Sequence, residues 1–326
     1  MIGSDEARHQ GRTGGPGYGS GSAGVHHGEI AQGVFDHGGH PRPGLVSLMC
    51  DLYHSQARFW ATPNGVITVE PATKTKALRA AEATLALLAG VPRGGLLRIR
   101  SNVPPARGFG SSTSDVLAAV RAVLSAHGRA LPAATIACLV VEAEIASDPL
   151  MFDDESVLLF AHRDGDIIED FGAPLPPMDV LGFGTSSDGR GVDTLALPHA
   201  VYTRSEHQAF DEIRTMLRLS ISTSDPHLLG RTATISTRIN QRRLPIPGLD
   251  TIEPLVRRVG AVGLQTAHSG DIAGLLFDGR DPETPARRRL AQSLLSDIGI
   301  SATWHFTVGK REKAHVATRG RHLSTQ

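Results

Sequence analysis

Apolar positions recur along this chain with two different periods, and the switches between them outline its elements. Over residues 44–70 the pattern is that of strands: Leu45, Val46 and Leu48, then Ala57 to Trp60, then Val66 to Val69, with Pro63-Asn64-Gly65 as a turn. The period then lengthens. Ala77, Leu78, Ala81, Leu85 and Leu88 fall on one helical face, and Gly90 ends it. A short strand at Leu96 to Ile99 leads through Ser101-Asn102-Val103-Pro104-Pro105 to a second helix, with Val116, Leu117, Val120, Val123 and Leu124 on one face and a stop near Gly128. A third helix is predicted over Ala133 to Ala146. Ser156 to Phe160 and Asp166 to Phe171 read as a hairpin around Asp164-Gly165.

The run from Gly172 to Pro177 interrupts both periods and is the best boundary between two domains. Beyond it come strands at Val180 to Phe183 and Val192 to Leu197, then helical patterns at 205–219, 226–240 and 250–259. The chain closes with strands at Gly263 to Ala267 and Ala273 to Phe277, a helix from Pro285 to Ile298, and a strand from Thr303 to Val308. Strands and helices mix without regular alternation, so the class is α+β. Residues 1–22 are rich in Gly and read as a flexible tail, as does the basic stretch 311–326; the domains between them are 23–174 and 175–310. Gly19, Gly21 and Gly24 match a dinucleotide fingerprint in form. They neither follow a predicted strand nor open a βαβ unit, so no site is assigned to them.

Composition narrows the functional classes. Lys plus Arg and Asp plus Glu are 33 each, so the balanced charge makes no case for a nucleic-acid or anionic-membrane partner. No apolar run approaches the length of a membrane span, and the N-terminus lacks the apolar core of a signal peptide. The two cysteines, Cys50 and Cys138, cannot form a disulfide framework or a Cys-based zinc site, and they suit a reducing, cytoplasmic setting. His27-Gly28-Glu29 has the His-x-Glu form of zinc deaminases but lacks their Pro-Cys-x-x-Cys partner. The 15 histidines show no ligand spacing.

The most informative segment is Pro104-Pro105-Ala106-Arg107-Gly108-Phe109-Gly110-Ser111-Ser112-Thr113-Ser114-Asp115, between a strand and an amphipathic helix. Gly108 and Gly110 permit close backbone approach and positive φ. Ser111 to Ser114 bring hydroxyls and free N–H groups to a helix N-terminus, which suits a phosphate. It is not a Walker A loop, because no Gly-Lys-Ser/Thr occurs. The same residues could instead cap an ordinary core helix.

The wording of this loop resembles the second motif of the GHMP kinases, Pro-x-x-x-Gly-Leu-Gly/Ala-Ser-Ser-Ala/Thr, with Phe109 in place of Leu. Gly24-Val-His-His-Gly28-Glu29-Ile-Ala-Gln32-Gly33 is similar to the first motif of the branch containing the propanediol-utilisation L-threonine kinases, Gly-x-Cys-Gly-Glu-Leu-x-Gln-Gly. Ala267-His268-Ser269-Gly270-Asp271-Ile-Ala-Gly274 is similar to that branch's third motif, Ala-His-Ser-Gly-x-x-x-Gly. The likeness runs over about residues 24–310.

The resemblance implies an N-terminal domain with a left-handed βαβ crossover, a ferredoxin-like C-terminal domain, and a cleft between them for ATP and acceptor. It implies transfer of the γ-phosphoryl group of ATP to the hydroxyl of a small hydroxy amino acid such as L-threonine, a reaction of positioning and charge neutralisation. Another acceptor, such as homoserine or a specialised metabolite's hydroxyl, and a non-catalytic ATP sensor are the competing readings. A homodimer stays open. ATP contacts fall on Pro104, Arg107, Gly108, Phe109, Gly110, Ser111, Ser112 and Thr113. Mg²⁺ falls on Ser112 and a helical Glu, for which Glu144 is the choice and Glu142 the rival, since residues two apart on a helix point in different directions and only one can face the cleft. Asp148 is the candidate to accept or orient the acceptor's hydroxyl proton. Glu29, Gln32, His27, His268, Ser269 and Gly270 are the acceptor-side candidates. Lys74, Lys76 and Arg107 are the cations nearest the loop in sequence, and Asp271 is a carboxylate where many members keep a small residue.

Overall fold

In the computed structural model, which describes residues 17–152, 155–186, 201–267 and 270–309, the chain opens on a long antiparallel hairpin. Strand β1 (Tyr18–His37) pairs with β2 (His40–Thr62), with Tyr18 opposite Trp60 and His37 opposite His40. β3 (Ile67–Glu70), α1 (Thr75–Leu87) and β4 (Gly94–Ser101) form a crossover, since β3 and β4 are parallel neighbours. Helices α2 (Ser111–Ala126) and α3 (Ala133–Glu144) and the hairpin of β5 (Leu158–Ala161) and β6 (Asp166–Asp170) complete the first half.

The second half runs β7 (Met178–Gly184), α4 (Arg204–Ser222), α5 (Pro226–Asn240), α6 (Leu249–Arg258), β8 (Gly263–Thr266), β9 (Ile272–Asp278), α7 (Thr284–Asp297) and β10 (Thr303–Val308). Its strands lie in the order β10-β7-β9-β8, all antiparallel, which is the expected ferredoxin-like arrangement. A capping box of Thr203 and Glu206 starts α4, and Asp225 caps α5 ahead of Pro226. The strand expected at Val192 to Leu197 and both distal tails lie outside the described residues.

The two sets of strands join at one register pair, Glu29 opposite Thr266, giving the order β10-β7-β9-β8-β1-β2-β4-β3. One apolar cluster crosses the join: Ile30, Phe35, Val46 and Leu48 from the first hairpin pack with Val180, Phe210, Leu276 and Phe306. The break at Gly172 to Pro177 thus separates the halves in sequence, while part of the core is common to both. Another cluster buries Val116, Leu117, Val120 and Val123 of α2 among residues of α1, α3, β2 and β4.

The tail expected to reach residue 22 ends earlier, because the chain is strand from Tyr18 onward. The reason is steric. A Cβ on Gly19 would lie 2.1 Å from the Ala126 nitrogen, and one on Gly21 would lie 2.4 Å from the Ala118 oxygen. These glycines let β1 sit directly on the alanine face of α2, a close approach of backbones that composition alone reads as flexibility. Gly21→Ala should therefore lower stability by about 1–3 kcal/mol through overpacking. An unchanged urea midpoint would show that β1 and α2 do not touch this closely.

Candidate active site

The loop before α2 is stitched to the first and third motifs by backbone hydrogen bonds. The His26 N–H donates to the Phe109 carbonyl at 3.3 Å, Gly28 N–H to Gly108 at 3.2 Å, and Asp271 N–H to Arg107 at 3.1 Å. Two glycines make the approach feasible. Gly108, at φ +99°, has Ala267 where a Cβ would come within 2.5 Å, and a Cβ on Gly270 would lie 2.0 Å from the Arg107 oxygen. Register shifts in β1 between Ala23 and Val25, His26 and Glu29, and Glu29 and Ala31 mark where the first motif leaves regular pairing. Bulges of this kind re-aim side chains. Of the third motif, Gly270 is seated on the loop, whereas His268 and Ser269 lie outside the described residues.

Gly110 begins α2 in the left-handed conformation (φ 69°), and no side chain caps the helix. The Ser114 N–H reaches the Gly110 carbonyl at 2.9 Å, so the amides of Ser111, Ser112 and Thr113 precede the first helical bond. Such a terminus is a ready anion site. Ser111 and Ser112 are half-buried, as is Pro104. The Phe109 side chain points into the protein rather than toward the loop surface. It is buried against the rings of His27, Tyr53 and Trp304, leaving only its main chain in the loop surface.

Glu144 ends α3, where Ile145 turns left-handed (φ 77°), two residues earlier than the helix read from sequence. Glu144 is buried and Glu142 is exposed, as expected for positions two apart. Burial pushes the Glu144 carboxyl up from its ordinary value, against hydrogen bonds from Ser112 and Thr113 and the charge of Lys76, whose Nζ is 3.7 Å from Oε1. Its Oε2 is buried with no hydrogen-bond partner. A buried carboxylate oxygen short of positive charge, facing serine and threonine hydroxyls, has the oxygen chemistry that Mg²⁺ requires.

The other cations near the loop are also engaged. Lys74 pairs with Asp115, which further accepts from Ser55 at 2.7 Å, and Arg107 is bound to Asp271.

On the opposite side of Gly110 lies an acid–imidazole cluster. His26 Nε2 is 2.9 Å from Asp148 Oδ2, its Nδ1 is 3.9 Å from Glu29 Oε1, and Nδ1–H donates to the Gly28 carbonyl at 3.2 Å. Burial would lower the His26 pKa, but Asp148, Glu29 and that carbonyl outweigh it and raise it from 6.5 to about 9. The imidazolium therefore supplies the positive charge that the two carboxylates need. Burial likewise opposes ionisation of Asp148, yet His26 and the Ser47 hydroxyl, which donates at 3.0 Å, hold its carboxyl below the usual range. His162 adds a ring whose Nδ1 is buried without a hydrogen-bond partner, and burial pushes its pKa to about 4, against the attraction of Asp148.

His27 does not belong to this cluster, which corrects its expected place on the acceptor side. Neighbouring strand residues point to opposite faces, and His27 is fully buried on the other one, between Phe109, Trp304 and Phe306. It donates from Nδ1 to Gln265 at 3.0 Å, and burial lowers its pKa to about 4 despite that bond. Gln32 is tied by its main chain to α5: its N–H donates to Ser236 at 3.1 Å and its carbonyl accepts from Asn240 at 2.9 Å. Sequence reasoning passed over His26, Ser47 and His162. Alternation along β1 separates His26 from His27 once the strand is known; no local signal marks the other two.

Residues 75–154 match the family model of the GHMP kinases N-terminal domain. The chain is 32% identical over 182 residues to the L-threonine kinase of Salmonella typhimurium, an alignment covering 55% of this chain and 59% of that protein. It is 29% identical to the L-threonine kinase of Citrobacter freundii over the same share of this chain and 61% of the relative. The matched region thus spans about three fifths of these relatives' length. In fold, the homoserine kinase from Cytophaga hutchinsonii superposes with a TM-score of 0.64 at 15% identity, covering 94% of this chain and 97% of that one. The L. major mevalonate kinase does so with a TM-score of 0.57 at 15% identity, covering 90% and 96%. The family model thus covers residues 75–154, and the likeness to the solved kinases shows a shared fold. Among the described residues, no helix is long and apolar enough to cross a membrane.

Proposed function

We propose that the protein transfers the γ-phosphoryl group of ATP to the hydroxyl of an L-threonine-like amino acid. The observation that carries this reading is the position of Gly110. It opens the uncapped N-terminus of α2, yet a Cβ on it would lie 2.5 Å from His26 and 3.6 Å from Asp148 Oδ2. A phosphate on the helix amides and a hydroxyl beside Asp148 would therefore be neighbours, the arrangement that in-line transfer needs.

The residues divide the work. The amides of Gly108 to Thr113 bind phosphate oxygens with donors already oriented, so little reorganisation accompanies transfer. Ser112 and Glu144 would hold Mg²⁺, which neutralises phosphate charge when bound. Asp148 is kept ionised by His26 and would accept the hydroxyl proton's hydrogen bond and orient the oxygen. Its lowered pKa makes it better at orienting than at abstracting. Glu29, buried next to it, matches an acceptor ammonium. The curated relatives named L-threonine kinase support that acceptor class.

The test is ³¹P NMR of the protein with Mg-ATP and L-threonine, against an acceptor-free control. A phosphomonoester signal with ADP is expected. A signal with homoserine or serine but none with threonine overturns the acceptor, and silence with every hydroxy compound favours a nucleotide sensor. Glu29→Gln should raise the acceptor KM roughly tenfold while moving that of ATP little, as loss of a charge-assisted contact to the acceptor alone would. Equal rises in both would remove Glu29 from the acceptor site.

A further inference from the structure

Asp271 is a carboxylate with its side chain 2% exposed, next to a loop read as a triphosphate site, where an unpaired negative charge would repel the ligand. It is paired in a specific way. Arg107 Nε donates to Oδ1 and Nη2 to Oδ2, both at 2.8 Å, the two-pronged geometry that fixes orientation as well as charge. Ser186 adds a hydrogen bond to Oδ2 at 3.1 Å, and the Asp271 carbonyl accepts from the Thr185 N–H at 2.7 Å and its hydroxyl at 2.8 Å. The guanidinium also lies 5.7 Å from the centre of the Trp304 ring. At the end of β7 a Cβ on Gly184 would lie 2.2 Å from Nη2, so the missing side chain leaves room for the fork. The same two residues are joined through the backbone, Asp271 N–H to the Arg107 carbonyl.

We propose that Arg107 and Asp271 are positioning residues acting as one unit, a latch that holds the phosphate loop against β7 and β9 in its nucleotide-accepting shape. The proposal rests on the reading of the loop as the ATP site, and it differs from the sequence expectation that Arg107 itself touches ATP. An arginine spent on a buried carboxylate is not a free phosphate ligand. Its role is to cancel the Asp271 charge and to fix the backbone between Arg107 and Gly110.

A double-mutant cycle separates the two roles. Affinity for a Mg-bound, non-hydrolysable ATP analogue would be measured by calorimetry for the wild type, Asp271→Asn, Arg107→Gln and the double variant, with melting temperatures alongside. A latch predicts that each single variant loses about five- to tenfold in affinity and that the double is no worse than either, because both break one interaction. Gly184→Ala, whose Cβ would lie 2.2 Å from Nη2 and 3.2 Å from Asp271 Oδ2 and so crowds the fork while leaving both of its residues in place, should show the same loss. The KM for L-threonine should stay within twofold throughout, a split that general loosening would not give.

Wild-type or tighter nucleotide binding in Asp271→Asn overturns the latch, since a freed Arg107 would then be serving the phosphate directly. Additive losses in the double variant, or equal rises in both KM values, overturn it as well. If Arg107→Gln fails to fold, Arg107→Lys takes its place in the cycle, because lysine keeps the charge and loses the fork. A wild type that binds no nucleotide overturns the reading of the loop and the latch together; wild-type binding matched by every variant overturns the latch alone.

Discussion

Glu144→Gln is expected to reduce kcat by about 100-fold or more, the scale found when a group that stabilises developing charge is removed, while leaving the protein folded. The carboxylate is 3% exposed, its Oε2 has no partner, and burial already raises its pKa. An amide of the same shape is easier to bury, so the melting temperature should hold or rise. The activity loss should come with a higher Mg²⁺ concentration at half-maximal rate. Ser112→Ala should act in the same direction, and Glu142→Gln, on the exposed face, should do nothing. Full turnover in Glu144→Gln would remove the assignment of the metal to this helix end.

His26→Gln is expected to move the acid limb of the pH–rate profile upward by about one to two units, the size of shift that an adjacent opposite charge produces. The sign follows from the geometry. The imidazolium 2.9 Å from Asp148 favours the ionised carboxylate, so its removal lets Asp148 protonate at higher pH. At the alkaline end the wild type should lose activity near pH 9 as His26 releases its proton, and the variant should lack that limb.

Stability should report the same group. Because the folded pKa of about 9 lies above the ordinary 6.5, the contribution of His26 is fully present below about pH 6.5 and is lost as pH rises through 9. Asp148→Asn, which removes the charge partner, should lower kcat by about 10²–10⁴ if Asp148 engages the reacting hydroxyl. A His26→Gln enzyme with an unshifted acid limb would mean that some other group sets it.

Much of this molecule is legible in the chain because its signals are local. The helical stripe from Val116 to Leu124 required an amphipathic helix, and the glycines and serines before it required an unusual N-terminus. Helix geometry alone required Glu142 and Glu144 to face different ways, and the structure buries Glu144 and exposes Glu142. Glycine defeated the same approach at Gly19 and Gly21. Their composition suits a flexible tail and a close strand–helix contact equally, and the difference lies in Ala118, Ala122 and Ala126, about a hundred residues away. The two pieces of strand read over 44–62 are one strand for a similar reason, since pairing with β1 and β4 carries the chain through its polar stretches.

By itself the sequence determined the order and type of most elements, the unusual glycine-serine loop before α2 and the resemblance of its motifs to one family, because periodicity, turn chemistry and motif spacing act over a few residues. Tertiary structure alone decided which side chains share a site. It set His26 against Asp148, turned His27 into the core, and paired Arg107 with the carboxylate whose presence the motif did not explain. Those choices depend on bulges in β1 and on the contact of three distant segments. Charges across such a contact feel distance in space and burial, neither of which can be counted along the chain.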